Sequence, residues 1–230
     1  MSDRNGVAQP PAGVGLEGLR SAAAGCRACE LWEPATQTVF GEGPETARIV
    51  FVGEQPGDQE DRKGEPFVGP AGRLLDKALG DAGIDRRDAY VTNAVKHFGH
   101  VVKGKRRIHQ TPKPEHLRAC RPWLEAEFSV LKPEVVVCLG ATAAKALISP
   151  SFRITKDRGQ LIPWTPPGVA AVVNDGDEAD DDEPDEGAPA QTWMLATTHP
   201  SAILRTPDEA RGAAYDALVA DLKVVAHALA

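Results

Sequence analysis

The chain is short of cysteine, methionine and aromatic residues, with four cysteines, two methionines and 5% aromatics in 230 residues. So few cysteines exclude a dense disulfide scaffold. No apolar run is long enough to span a bilayer, so no transmembrane helix is expected. The opening MSDRNGVAQPPAGVG has no apolar stretch of the kind an export signal carries. A cytoplasmic location is the default expectation, and structural disulfides are disfavoured there. The thiols are then metal ligands, redox groups or ordinary core residues.

A basic excess is also missing. The net charge is −7, which by itself argues against a polyanionic partner. Its distribution reverses that reading. The segment 174–191, NDGDEADDDEPDEGAPAQ, holds nine of the 33 acids and no Lys or Arg, so 26 basic residues face 24 acids elsewhere. Such a like-charged, apolar-poor stretch is expected to be a disordered insertion between two strands. Residues 1–15 are likewise expected to be disordered, and 16–230 to form one domain.

Strands alternate with helices along that domain. Apolar runs predict strands at 49–52, 89–95, 135–139, 159–163 and 193–198. Helices are expected over 16–24, 70–81, 115–131 and 141–148. Thr206, Pro207 and Glu209 make a capping box for a terminal helix whose apolar stripe is Tyr215, Leu218, Leu222, Val225 and Leu229. The pattern predicts a three-layer α/β/α fold around a mainly parallel sheet. The stretch 96–113 is long for a loop in a compact domain, which points to function or disorder.

The most informative segment is Arg48–Leu75, RIVFVGEQPGDQEDRKGEPFVGPAGRLL. It reads as a buried strand, a polar turn and a helix. Glu54, Gln55, Asp58, Glu60 and Asp61 follow the strand's carboxyl end, the edge where open α/β sheets bind ligands. Asn93 near the end of the second strand, and THPSAILR after the last, fall on the same edge. Each motif alone is weak. Asn93 could cap a turn, Phe67 is as readily a core residue as a stacking platform, and His199 could be a satisfied histidine. Convergence on one edge is the stronger sign.

The order GEQPG…ED…GEPFVGPAG resembles the signature of the iron–sulfur uracil-DNA glycosylases, in which Ala is usual where this chain has Gln55. The resemblance covers roughly residues 19–229 apart from the acidic insertion. It implies uracil-containing DNA as partner, single-stranded DNA preferred, and a monomer. It also implies roles for the residues. Phe67 would stack on the extruded base, Asn93 would read its edge, and Gly53 and Ser201 would complete the substrate site. His199 would stabilise negative charge on the departing uracil, and Arg205 would contact phosphate. Glu54 and Asp58 are equal candidates for supporting the cationic sugar or orienting a nucleophile.

Spacing alone fits either zinc or an iron–sulfur cluster to Cys26, Cys29, Cys120 and Cys138. The family pattern, a C-x-x-C followed by one cysteine in a helix and one in the next strand, implies a structural [4Fe–4S] cluster on all four. A second departure from common members is the basic loop KGKRRIHQTPKPEH, Lys103–His116. Together, Gln55 and KRRIH resemble the UdgX-type branch. That likeness implies that His109 bonds to the deoxyribose and keeps the protein attached. Arg107 would position the loop on a phosphate or on His109, Gln55 would hold the loop closed, and Lys105 and Arg106 would grip DNA. Hydrolytic turnover on the same fold is the alternative.

Overall fold

The computed structural model describes residues 6–165 and 191–229. Strands β1 (Ile49–Gly53), β2 (Ala89–Asn93), β5 (Val135–Leu139), β6 (Ile162–Trp164) and β7 (Thr192–Thr197) form one sheet in the order β2-β1-β5-β7-β6. Four of these strands are parallel, and β6 joins the edge antiparallel to β7. Every residue of β1, β2 and β5 is buried, as both-face coverage requires.

The two faces carry separate apolar cores. On one, Val50, Val52 and Val136 meet helices α1 (Leu16–Ala23) and α4 (Pro114–Leu131) through Leu19, Trp123 and Phe128. On the other, Phe51, Val137 and Leu195 meet α3 (Pro70–Ala82) and α8 (Asp208–Ala228) through Leu75, Leu79, Leu218 and Leu222. This is the three-layer α/β/α arrangement with a mainly parallel sheet. The chain steps from β1 outward to β2, then returns to β5 on β1's other side. That reversal opens a crevice at the carboxyl ends of β1 and β5. Short helices α2 (Asp58–Lys63), α5 (Ala141–Leu147) and α7 (Pro200–Arg205) begin around it, and α6 (Ile154–Asp157) precedes β6.

Four local expectations change. The stretch 96–113 is a ribbon of β3 (His100–Lys103) and β4 (Arg106–His109), turning at the left-handed Gly104. The start is not wholly disordered. Ala8 is buried and its N–H bonds Ala119 O at 3.0 Å, laying this segment on α4. The terminal capping box does not form. Thr206 Oγ1 bonds Ala202 O at 3.1 Å, closing α7, and Pro207 is left to cap α8. β2 stops at Asn93: the N–H of Ala94 completes the ladder to Gly53 O, and that of Val95 then turns onto Glu54 O. The acidic insertion lies outside the described residues except for Gln191.

Candidate active site

The crevice is a cleft of about 670 Å³. Its lining includes Glu54, Gln55, Phe67, Asn93, His109, His199, Ser201 and Arg205. The ends of three parallel strands, a helix start and the ribbon thus bring most of the expected residues together.

The floor is built by close approach. Gly53 ends β1 with no side chain. A Cβ there would sit 2.3 Å from Asn93 Oδ1 and 2.8 Å from Phe67 Cζ. Gly53 therefore makes room for both and adds no group of its own. Phe67 holds a left-handed backbone at φ 57°, an unfavourable state for a large L-residue. Gly72, in the first turn of α3, permits it, since a Cβ there would fall 1.5 Å from Phe67 O. Strain of this kind concentrates at binding sites. The Phe67 ring stacks with His199 at 6.1 Å and 27°.

His199 caps α7. Its Nδ1 accepts from Ser201 N at 3.1 Å, so the neutral ring carries its proton on Nε2. Burial, with smaller contributions from Arg205 and His109, pushes its pKa down to about 4. The ring is therefore a neutral donor near pH 7. Arg205 stays exposed, and its Nη1 lies 3.3 Å from Ser201 Oγ.

His109 ends β4, half exposed, with Nε2 3.4 Å from Glu54 Oε1. Burial lowers its pKa, and the carboxylate of Glu54 partly opposes the shift. Thr142 Oγ1 donates to the other oxygen of Glu54 and fixes that carboxylate from α5. The ribbon is held by Gln55. Its Nε2 donates to Gly99 O at 3.1 Å and Gln110 O at 3.0 Å, and its Oε1 accepts from Gly99 N at 3.3 Å. One amide thus joins both ends of the ribbon. An alanine could make none of these bonds.

The structure separates Glu54 from Asp58. Asp58 is absent from the cleft lining. Its carboxylate bonds Arg107 Nε at 2.5 Å and Arg62 Nε at 3.0 Å. Arg107 also bonds the buried Asp61 at 2.5 Å and Thr36 Oγ1 at 3.2 Å. The expectation that Arg107 reaches a phosphate or His109 is corrected, because its guanidinium clamps β4 onto α2. Lys105 and Arg106, with Lys103, are exposed at the ribbon tip, and none of the three has an ion pair among the described residues. Sequence reasoning missed Asp61 as the clamp's buried anchor and Thr142 as the holder of Glu54. Neither lies in a motif that points to its role.

The cysteines only partly converge. Cys120 in α4 lies close enough to Cys26 and Cys29 for their charges to raise its pKa, although burial is the main cause. Lys96 N donates to Cys120 Sγ at 3.2 Å, and Trp123 Nε1 to Cys26 Sγ at 3.3 Å. Cys138 has a different neighbour. Its Sγ lies 3.8 Å from Met194 Sδ inside the sheet, and burial alone raises its pKa. The expected four-cysteine set therefore becomes three at this corner. A further donor there was not anticipated. Buried His97 follows Lys96, and its Nε2 lies 2.9 Å from Thr38 Oγ1. The Thr38 proton goes to Ala23 O, so Nε2–H is the donor and Nδ1 is left as a bare lone pair. Three thiols and one imidazole nitrogen suit an iron–sulfur centre. Elsewhere, Glu30, Glu115 and His116 also cluster, but the Lys113 ammonium already lies 3.3 Å from each carboxylate.

Residues 40–223 match the Uracil DNA glycosylase superfamily. The chain belongs to that superfamily. It is 44% identical over 140 residues to the Type-4 uracil-DNA glycosylase of Thermotoga maritima, covering 60% of this chain and 69% of that one. The Type-4 uracil-DNA glycosylase of Pyrobaculum aerophilum is 33% identical over 192 residues, 84% of this chain and 86% of that one. A Type-5 uracil-DNA glycosylase of Thermus thermophilus is 35% identical over 119 residues, 48% and 54% of the two chains. The matched span holds the whole cleft lining. Among the described residues of this superfamily member, no helix is long and apolar enough to cross a membrane.

Proposed function

We propose that this protein excises uracil from DNA and is then captured on the product through His109. The observation that carries the second part is the 3.4 Å approach of His109 Nε2 to Glu54 Oε1 in the cleft, on a ribbon held by Gln55 and Arg107.

An extruded uracil enters between Phe67 and the strand ends, at no cost in base pairing when the strand is single. The Asn93 carboxamide accepts from N3–H and donates to O4, a pattern that cytosine reverses. The bond from C1′ to the base breaks, and its electron pair leaves with uracil. His199 Nε2–H donates toward O2 and stabilises that negative charge. Glu54 faces the cationic sugar. The neutral imidazole of His109 bonds to C1′ through its unprotonated nitrogen, and the resulting imidazolium loses its ring proton toward Glu54 or solvent. In the alternative reading, Glu54 orients water instead, and the product is a free abasic site.

A [4Fe–4S] cluster is part of the proposal, held by Cys26, Cys29 and Cys120 with His97 in place of Cys138. It supplies structure, tying the segment before β1 to α4 across a long loop. Lys105, Arg106 and Arg205 approach the DNA backbone.

Incubation with a labelled single-stranded uracil oligonucleotide and a thymine control tests the reading. Free uracil together with a boil-stable protein–DNA band, both absent with thymine, is expected. Free uracil with repeated turnover and no such band would establish the hydrolytic alternative.

A further inference from the structure

The ion pair between Lys96 and Glu127 takes no part in the chemistry above, although their side chains are only 1% and 0% exposed. Moving two charges out of water is costly, and a packed apolar pair would commonly be as stable. Stability alone is therefore a poor reason for it.

The ammonium has three donors, and each has a partner. Lys96 Nζ bonds Glu127 Oε2 at 2.5 Å, Thr92 Oγ1 at 2.5 Å and Asn93 O at 3.0 Å. The other Glu127 oxygen accepts from Tyr90 OH at 2.8 Å and lies 2.9 Å from Thr92 Oγ1. The network thus converges on the last residues of β2. Asn93 is where β2 turns away from the sheet, and the next two N–H groups bond Gly53 O at 2.9 Å and Glu54 O at 3.0 Å. Lys96 closes this turn from within by bonding back to the Asn93 carbonyl. The Asn93 side chain lies over Gly53 and makes no side-chain hydrogen bond among the described residues, so its aim depends on its backbone.

We propose that Lys96, held by Glu127, is a positioning residue that fixes the backbone of Asn93 and hence the aim of its carboxamide at the base edge. This rests on the reading of Asn93 as the uracil reader. The pair acts through Asn93 and touches no substrate.

The test compares the full-length protein with Lys96→Met/Glu127→Leu, an apolar replacement chosen to keep the fold, and each with and without Asn93→Ala. Misaiming a positioning group costs about 100-fold in rate. We expect a loss of that order in single-turnover uracil excision, in protein that still unfolds in one cooperative thermal transition. Adding Asn93→Ala should then cost little more, because residues acting as a unit are not additive. A readout independent of activity is the NMR signal of the Asn93 side-chain amide, expected to shift or split in the apolar double variant. Losses that multiply, or Asn93 resonances at wild-type positions, would overturn the proposal. Wild-type protein that releases no uracil would overturn the glycosylase reading instead, and the resonances would still decide this one.

Discussion

Glu54 Oε1 and His109 Nε2 lie 3.4 Å apart, although they are 55 positions apart in sequence and unrelated elements hold them. Thr142 fixes Glu54 from the start of α5. Gln55 and the Arg107 clamp fix the ribbon that carries His109. The two clamps act at different points, so they can be broken separately.

Gln55→Ala removes the bonds to Gly99 and Gln110 and leaves those backbone groups to find water. We expect a stability loss of about 2–3 kcal/mol, since each of the three bonds contributes about 1 kcal/mol net. The larger effect should fall on capture. Uracil release should persist while the boil-stable fraction drops and free abasic product rises, measured on one gel by alkali cleavage. An unchanged ratio would show that the amide does not hold the ribbon for capture.

Arg107→Ala has a different signature. It strands Asp61, a fully buried carboxylate, without its cation. Breaking a buried pair this way costs roughly 3–5 kcal/mol. Thermal melting should show that loss for Arg107→Ala and a much smaller one for Asp58→Asn, because Asp58 is partly exposed and also paired with Arg62. Equal losses would contradict the assignment of Asp61 as the anchor.

Acid should destabilise the fold through His199. Its pKa is pushed from 6.5 down to about 4 by burial. Between those values the unfolded chain binds the proton that the folded ring refuses. Stability is therefore intact above about pH 6.5 and falls as pH drops toward about 4. Denaturant unfolding at several pH values should show this slope, flattened in His199→Gln. Capture should weaken in the same direction, because protonated His109 has no lone pair to offer.

The thiols give a direct measurement of iron. Cys138→Ala should retain the iron content and visible absorbance of the wild type, with only the stability change of a small core substitution. Cys120→Ala and His97→Ala should each lose both. Loss of iron in folded Cys138→Ala would restore the four-cysteine set.

Much of this was legible in the sequence because buried parallel strands leave long apolar runs, and such runs place the turns that follow them. The strands at Ile49–Val52 and Val135–Leu139, and the motifs after them, were readable for that reason. The roles of Arg107 and Asp58 were not. Both are charged residues beside a motif, and only tertiary pairing separates a clamp from a phosphate contact. Thr206 does not cap the terminal helix because its hydroxyl is taken by the preceding helix, a competition invisible in local sequence. Cys138 fits the family spacing and faces the same core as Cys26 and Cys120, but its sulfur lies against Met194, a contact that spacing does not reveal.

The most direct test of the central claim is mass spectrometry of the boil-stable product. The protein is incubated with a uracil oligonucleotide, denatured, digested with protease and nuclease, and the modified peptide sequenced. The account predicts a deoxyribose-derived mass on His109 and no adduct with His109→Ser. An adduct on another residue, or full uracil release with no modified peptide, would contradict it.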